Sequence, residues 1–148
     1  MTPSTIHASA VLVGARAVLI RGPAGAGKSR LAFALIEAAQ AGTLRFAALV
    51  GDDRVHLEGV HGRVLVRPAE GLGGLIEVRG LGIRRLPFEP LAVVGLVVDL
   101  RSAEGERLPP AALSTVVEGI PLPRLAVAAD VDPLPMVLAA LQTEALES

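Results

Sequence analysis

A chain of 148 residues has room for one domain with a proper core, so residues 1–148 are expected to form a single unit. Half the residues are hydrophobic, yet apolar runs such as LAVVGLVV are far too short to span a bilayer; with no cysteine and no cleavable leader, a cytoplasmic protein without disulfides or thiolate metal sites is expected. The net charge is −1, the arginines are scattered, Tyr and Trp are absent and Phe occurs only at 33, 46 and 88, which argues against nucleic acid as a partner.

In chain order, Ala8 to Val13 and Ala17 to Arg21 are two apolar segments separated by Gly14-Ala15, the pattern of a hairpin or of a strand leading into a strand. After Lys28-Ser29 the stretch RLAFALIEAAQAG places Leu31, Leu35 and Ala38 or Ala39 at helical spacing, with Gly42 as its stop. FAALVGDD is a strand ending in two carboxylates, and DRVHLE, GVHG and RVLVRP alternate and turn as an antiparallel hairpin. A purely parallel nucleotide fold would place a helix there, so a mixed α/β sheet is expected. EGLGG precedes the strand pattern LIEVRG. LAVVGLVVDL is the most continuously apolar strand and is expected at the centre of the sheet. PPAALSTVVEG reads as a helix beginning with proline, LPRLAVAA as a last strand, and PLPMVLAALQTEAL as a closing amphipathic helix.

Between the second apolar segment and the first helix lies GPAGAGKS, residues 22–29, a full match to G-x-x-x-x-G-K-S in the strand–loop–helix context that a phosphate loop requires. Gly22, Gly25 and Gly27 let the backbone turn so that N–H groups face one anion, and Pro23, Ala24 and Ala26 complete the loop. The helix that follows adds its positive end, Lys28 reaches the outer phosphates and the Ser29 hydroxyl ligates magnesium. Of fourteen basic residues thirteen are arginine, and the single lysine is Lys28. A compact ammonium and a planar fork are not interchangeable at such a site.

A phosphate loop names a nucleotide and its Mg²⁺, not a reaction. The cation needs a further carboxylate, and two apolar runs end in Asp: one at Asp52-Asp53, the other at Asp99. Either is a candidate for the metal-side strand, and either could be a solvated turn. In LIEVRGLG, Leu75, Glu77 and Arg79 would share one strand face. Glu77 and Arg79 suit a metal and a phosphate oxygen, or equally a plain salt bridge.

Taken together, TIHASAVLV (5–13), GPAGAGKS (22–29), LVGDDRVHLE (49–58) and LIEVRGLGI (75–83) resemble, in order, the signature of the catalytic domain of the bacterial HPr kinase/phosphorylase family. The resemblance implies the P-loop fold of that family, similar to the phosphoenolpyruvate carboxykinase type. It also implies transfer of the terminal phosphate of ATP to a serine of HPr, a small carrier protein of the phosphotransferase system, and a reverse phosphorolysis. It makes Asp53 the general base toward the serine, Asp52 a support for metal and water, Glu77 the second metal residue and Arg79, Gly80, Leu81, Gly82 and Ile83 the signature loop. His7 matches a family histidine near the phosphates, and Arg107 an arginine tied to phosphate handling. Homo-oligomerisation, as a hexamer, is implied as well.

The chain departs from the family at Ala8 (commonly glycine), at Arg30 (commonly acidic) and in PLPRLAV, where only Arg124 can stand for the loop associated with dephosphorylation. An N-terminal domain common in the family is not expected within these 148 residues. The kinase direction is therefore the stronger expectation. The rival readings are a P-loop small-molecule kinase, with RGLGIRR as an arginine lid, and a non-catalytic ATP-binding sensor.

Overall fold

The computed structural model describes residues 5–102 and 113–143. Eleven strands and two helices are formed by these residues: β1 (Thr5–His7), β2 (Ser9–Val13), β3 (Arg16–Arg21), α1 (Lys28–Gln40), β4 (Ala47–Gly51), β5 (Arg54–Val60), β6 (Arg63–Pro68), β7 (Leu75–Val78), β8 (Gly82–Arg85), β9 (Ala92–Leu100), β10 (Ser114–Val117), β11 (Ile120–Val127) and α2 (Pro133–Gln142).

The main sheet runs β1-β5-β6-β9-β3-β2-β4, with β11 also against β9 and β10 outside β11. The expected mixed sheet is present: β3 and β11 lie parallel to β9, whereas the remaining pairs are antiparallel. β9 is central, as its apolar run predicted. Its first residues, Ala92 and Val93, pair with β6, and Val97–Leu100 pair with β11.

Alternation along the central strands divides the core in two. Val18, Ile20 and Val98 face one side, where they meet Leu31, Ala32, Leu35 and Ile36 of α1 and Val137 of α2. Ala17, Leu19 and Val97 face the other, against Val55, Val64 and Val66 of β5 and β6. Ala17–Ile20 of β3 are all buried, which is why this strand reads as a continuous apolar run without a polar face.

The first helix ends where Gly42 predicted. Gly42 has φ 84°, and the N–H of Thr43 donates to the Ala38 carbonyl at 2.8 Å, satisfying an acceptor left open at the helix end. Two expectations need correction. Residues 114–119 are not helical: Ser114–Val117 form β10, because Glu118 and Gly119, both at positive φ, turn the chain back onto β11 with Val117 opposite Ile120. Arg79 does not share the strand face of Leu75 and Glu77, because β7 stops at Val78 and Arg79 and Gly80 make the turn into β8.

The β7–β8 hairpin forms a separate two-stranded sheet. Gly73 and Gly74 precede it. A side chain at Gly73 would meet the Phe88 ring at 2.6 Å, so glycine there allows the close approach of the ring.

Candidate active site

The phosphate loop leaves the C-terminal end of β3, a central strand, and enters α1 directly. Gly25 and Gly27 stand at φ 77° and 97°, conformations that favour glycine. Gly27 caps α1 without any side-chain hydrogen bond, and no acidic residue lies in the first turn. The helix N-terminus therefore presents N–H donors with no side-chain acceptor, which fits a bound polyphosphate. Lys28 Nζ donates to the carbonyls of Gly22 (2.8 Å) and Pro23 (3.1 Å), which keeps the ammonium over the loop. From the far end of β9, Arg101 donates to the Gly25 carbonyl at 2.9 Å and braces the same loop.

Asp52 and Asp53 follow β4, which pairs with β2 and ends beside the start of α1, and the two carboxylates do different things. Asp52 is buried, at 3% exposure. It accepts from Ser29 Oγ at 2.8 Å on each oxygen, from Ser9 Oγ at 2.6 Å, and from the backbone N–H of Glu77 at 3.2 Å. Of the two candidate aspartates, Asp52 is thus the one tied to the phosphate-loop serine.

Asp53 points into solvent, with 74% of its side chain exposed. It has φ 67° at the centre of a three-residue turn closed by the Arg54 N–H to Asp52 carbonyl bond (2.8 Å), and its own carbonyl accepts from Ala8 N–H at 3.2 Å. Positive φ in such a turn is a strained conformation for a residue with a side chain, the kind found at reactive positions.

His7, at the end of β1, brings Nδ1 to 4.0 Å from Asp53 Oδ1. Its Nε2 lies 2.9 Å from Arg54 Nη2. Arginine can only donate, so Nε2 accepts and the ring proton sits on Nδ1, facing Asp53. In ¹⁵N spectra the neutral imidazole should accordingly be the Nδ1–H tautomer; an Nε2–H tautomer would contradict the geometry.

Glu77 reaches Asp52 through its backbone, and its side chain is exposed at the start of the signature hairpin with Arg79, Gly80, Leu81, Gly82 and Ile83. Among the described residues Glu77 and Arg79 form no ion pair with each other, and no cluster of three or more His, Asp or Glu could hold a metal by itself. That donor set suits Mg²⁺, which is held by one or two protein groups together with substrate phosphates. Arg107 lies outside the described residues.

Asp99, the alternative candidate, is committed elsewhere. Its carboxylate accepts from Arg21 (2.8 and 2.9 Å) and from Arg124, which joins β3, β9 and β11. Burial pushes the Asp99 carboxyl up, but hydrogen bonds and charge from Arg21 and Arg124 outweigh it and hold it below its ordinary value of 3.8. A depressed folded-state value means the contribution to stability is complete above the unfolded value and lost as pH falls through the folded one. Asp99→Asn should lower the unfolding free energy by about 2 kcal/mol at neutral pH and reduce the acid sensitivity of the thermal midpoint. An unchanged midpoint at pH 7 would contradict this role.

Ser9, Arg21, Arg54 and Arg101 were not singled out by sequence pattern. Only Ser9 carried a usable signal, as a hydroxyl inside an otherwise apolar strand.

The profile of the HPr serine kinase C-terminal domain matches residues 1–86. Two curated relatives are HPr kinase/phosphorylases, from Clostridium beijerinckii (37% identical over 84 residues, 56% of this chain) and from Clostridium tetani (35% over 103 residues, 69% of this chain). The matched stretches span 26% and 31% of those relatives, so this chain corresponds to less than a third of their length. The solved structure of the Hpr(Ser) kinase/phosphatase from Coxiella burnetii superposes with a TM-score of 0.73 at 26% identity, covering 93% of both chains. A phosphate loop whose serine is tied to the first of two adjacent aspartates, together with a family match over more than half the sequence, places this chain in the HPr serine kinase C-terminal domain family.

Proposed function

We propose that this protein is an ATP- and Mg²⁺-dependent protein-serine kinase that phosphorylates an HPr-like carrier protein, with residues 1–148 as one catalytic domain working in a homo-oligomer. The carrying observation is the division of labour between neighbouring aspartates: Asp52 is buried on Ser29, and Asp53 is strained, exposed and beside His7. The names of the relatives support the same acceptor.

In this reading the N–H groups at the start of α1 and the Lys28 ammonium bind and orient the outer phosphates. Ser29, Asp52 and Glu77 would hold Mg²⁺, which when bound supplies positive charge to the phosphates during transfer. Asp53 accepts the proton of the serine hydroxyl as its oxygen bonds to the terminal phosphorus and the bond to the leaving ADP oxygen breaks. Because phosphoryl transfer has a loose transition state, the proton moves late and an ordinary carboxylate suffices. The Nδ1–H of His7 faces that carboxylate from 4.0 Å. Arg124, in β11, is paired with Asp99 of β9, and the forward direction is the one this reading emphasises.

Incubation with labelled ATP and Mg²⁺, alongside either purified HPr-type carriers or a panel of hydroxyl metabolites, tests the acceptor. Label on a carrier serine is expected. Label confined to a metabolite would replace this reading with a small-molecule kinase, and nucleotide binding with no transfer to any acceptor would favour a sensor.

A further inference from the structure

We infer that Ser9 is a positioning residue for the metal side of this site: its hydroxyl fixes Asp52, which in turn aims the Ser29 hydroxyl at the cation. The inference rests on the phosphate-loop reading above. Ser9 opens β2, is fully buried among apolar residues, and spends its hydrogen on Asp52 Oδ1 at 2.6 Å. A buried hydroxyl in an apolar strand is retained at a cost unless it has such a partner.

Asp52 is anchored from two sides. Ser9 holds Oδ1 from β2, and the backbone N–H of Glu77 holds Oδ2 from β7. The two anchors set the plane of the carboxylate. Ser29 Oγ sits 2.8 Å from both oxygens, so its one hydrogen is given to Asp52 and its lone pairs are left for a cation on the phosphate-loop side. Without the Ser9 hydrogen, the carboxylate keeps only the longer Glu77 bond as a fixed reference and can rotate with Ser29. The Ser29 lone pairs then lose their set direction. Residues that orient a metal ligand without touching the metal commonly change metal affinity by about 10-fold to 100-fold.

A merely structural Ser9 would change stability without regard to metal. The full-length chain should be titrated with ADP and with a non-hydrolysable ATP analogue, with and without Mg²⁺, by calorimetry. Ser9→Ala is expected to bind metal-free nucleotide like the wild type, and to lose about 10-fold in the affinity gained on adding Mg²⁺. The Mg²⁺ concentration for half-maximal transfer should rise by a similar factor. Ser9→Thr, which keeps the hydroxyl, should restore both. A thermal melt identifies a Thr variant that its extra methyl has misfolded, and in that case the Ala variant's metal dependence decides alone. Equal losses with and without Mg²⁺, or no loss, would overturn the role of Ser9. A wild-type chain that binds no nucleotide under either condition would remove the phosphate-loop reading, and this inference with it.

Discussion

Asp53→Asn should lower phosphotransfer by about 10²-fold to 10⁴-fold while leaving nucleotide affinity within about twofold, the pattern expected when a proton acceptor is lost and the binding surface is kept. The prediction follows from where Asp53 stands. Its side chain is exposed and makes none of the contacts that hold the phosphate loop, whereas Asp52 beside it is buried on Ser29. The same position offers a second readout. At φ 67° any side chain is strained, so Asp53→Gly should raise the unfolding free energy by about 1 kcal/mol and still abolish transfer. Stabilisation with loss of activity is the signature of a residue kept for chemistry. Full activity in Asp53→Asn would assign the base elsewhere.

The other large effect is expected at Lys28. Lys28→Ala should weaken binding of ATP and lower transfer together, by about 10²-fold to 10³-fold in kcat/KM, because in the proposed reading one ammonium serves both the bound nucleotide and the charge that builds on the outer phosphate. In the structure this side chain bridges to Gly22 and Pro23 carbonyls, so its removal also loosens the loop. Lys28→Arg should rescue little, since a planar fork cannot occupy the same point above the loop. Steady-state kinetics with varied ATP separates the two parameters. A variant altered in KM alone would mean that Lys28 contributes only to uniform binding.

Much of this site could be seen in the sequence because its parts are local. GPAGAGKS needs only its own glycines and the helix that follows, and the Asp52-Asp53 pair is marked by the apolar strand before it. What buries Asp52 is not local. Asp52 becomes the buried partner of Ser29 through contacts from β2, α1 and β7, and Asp53 acquires its strain from a turn closed by its own neighbours. Asp99 shows the same limit. It ends an apolar strand just as Asp52 does, and only the arrival of Arg21 and Arg124 from β3 and β11 shows that it braces the sheet.

The fold follows a similar division. The hairpins and α1 were legible from alternation, turn residues and helical spacing. The segment 114–119 was misread because Pro109-Pro110 and the alanines after them suggested a helix start, while the decisive features were the β-branched Thr115, Val116 and Val117 and the Glu118-Gly119 turn onto β11. The neighbours of β9 on its second edge, β6 for its first residues and β11 for its last, are set by tertiary pairing that no single stretch encodes.

The most direct test is a crystal structure of the chain with Mg²⁺ and a non-hydrolysable ATP analogue. The outer phosphates should lie on the Lys28 ammonium and the first turn of α1, with the cation on Ser29 and the Asp53 carboxylate facing the terminal phosphorus from the open side. A nucleotide bound with Asp53 and Ser29 both remote from that phosphorus would contradict the account.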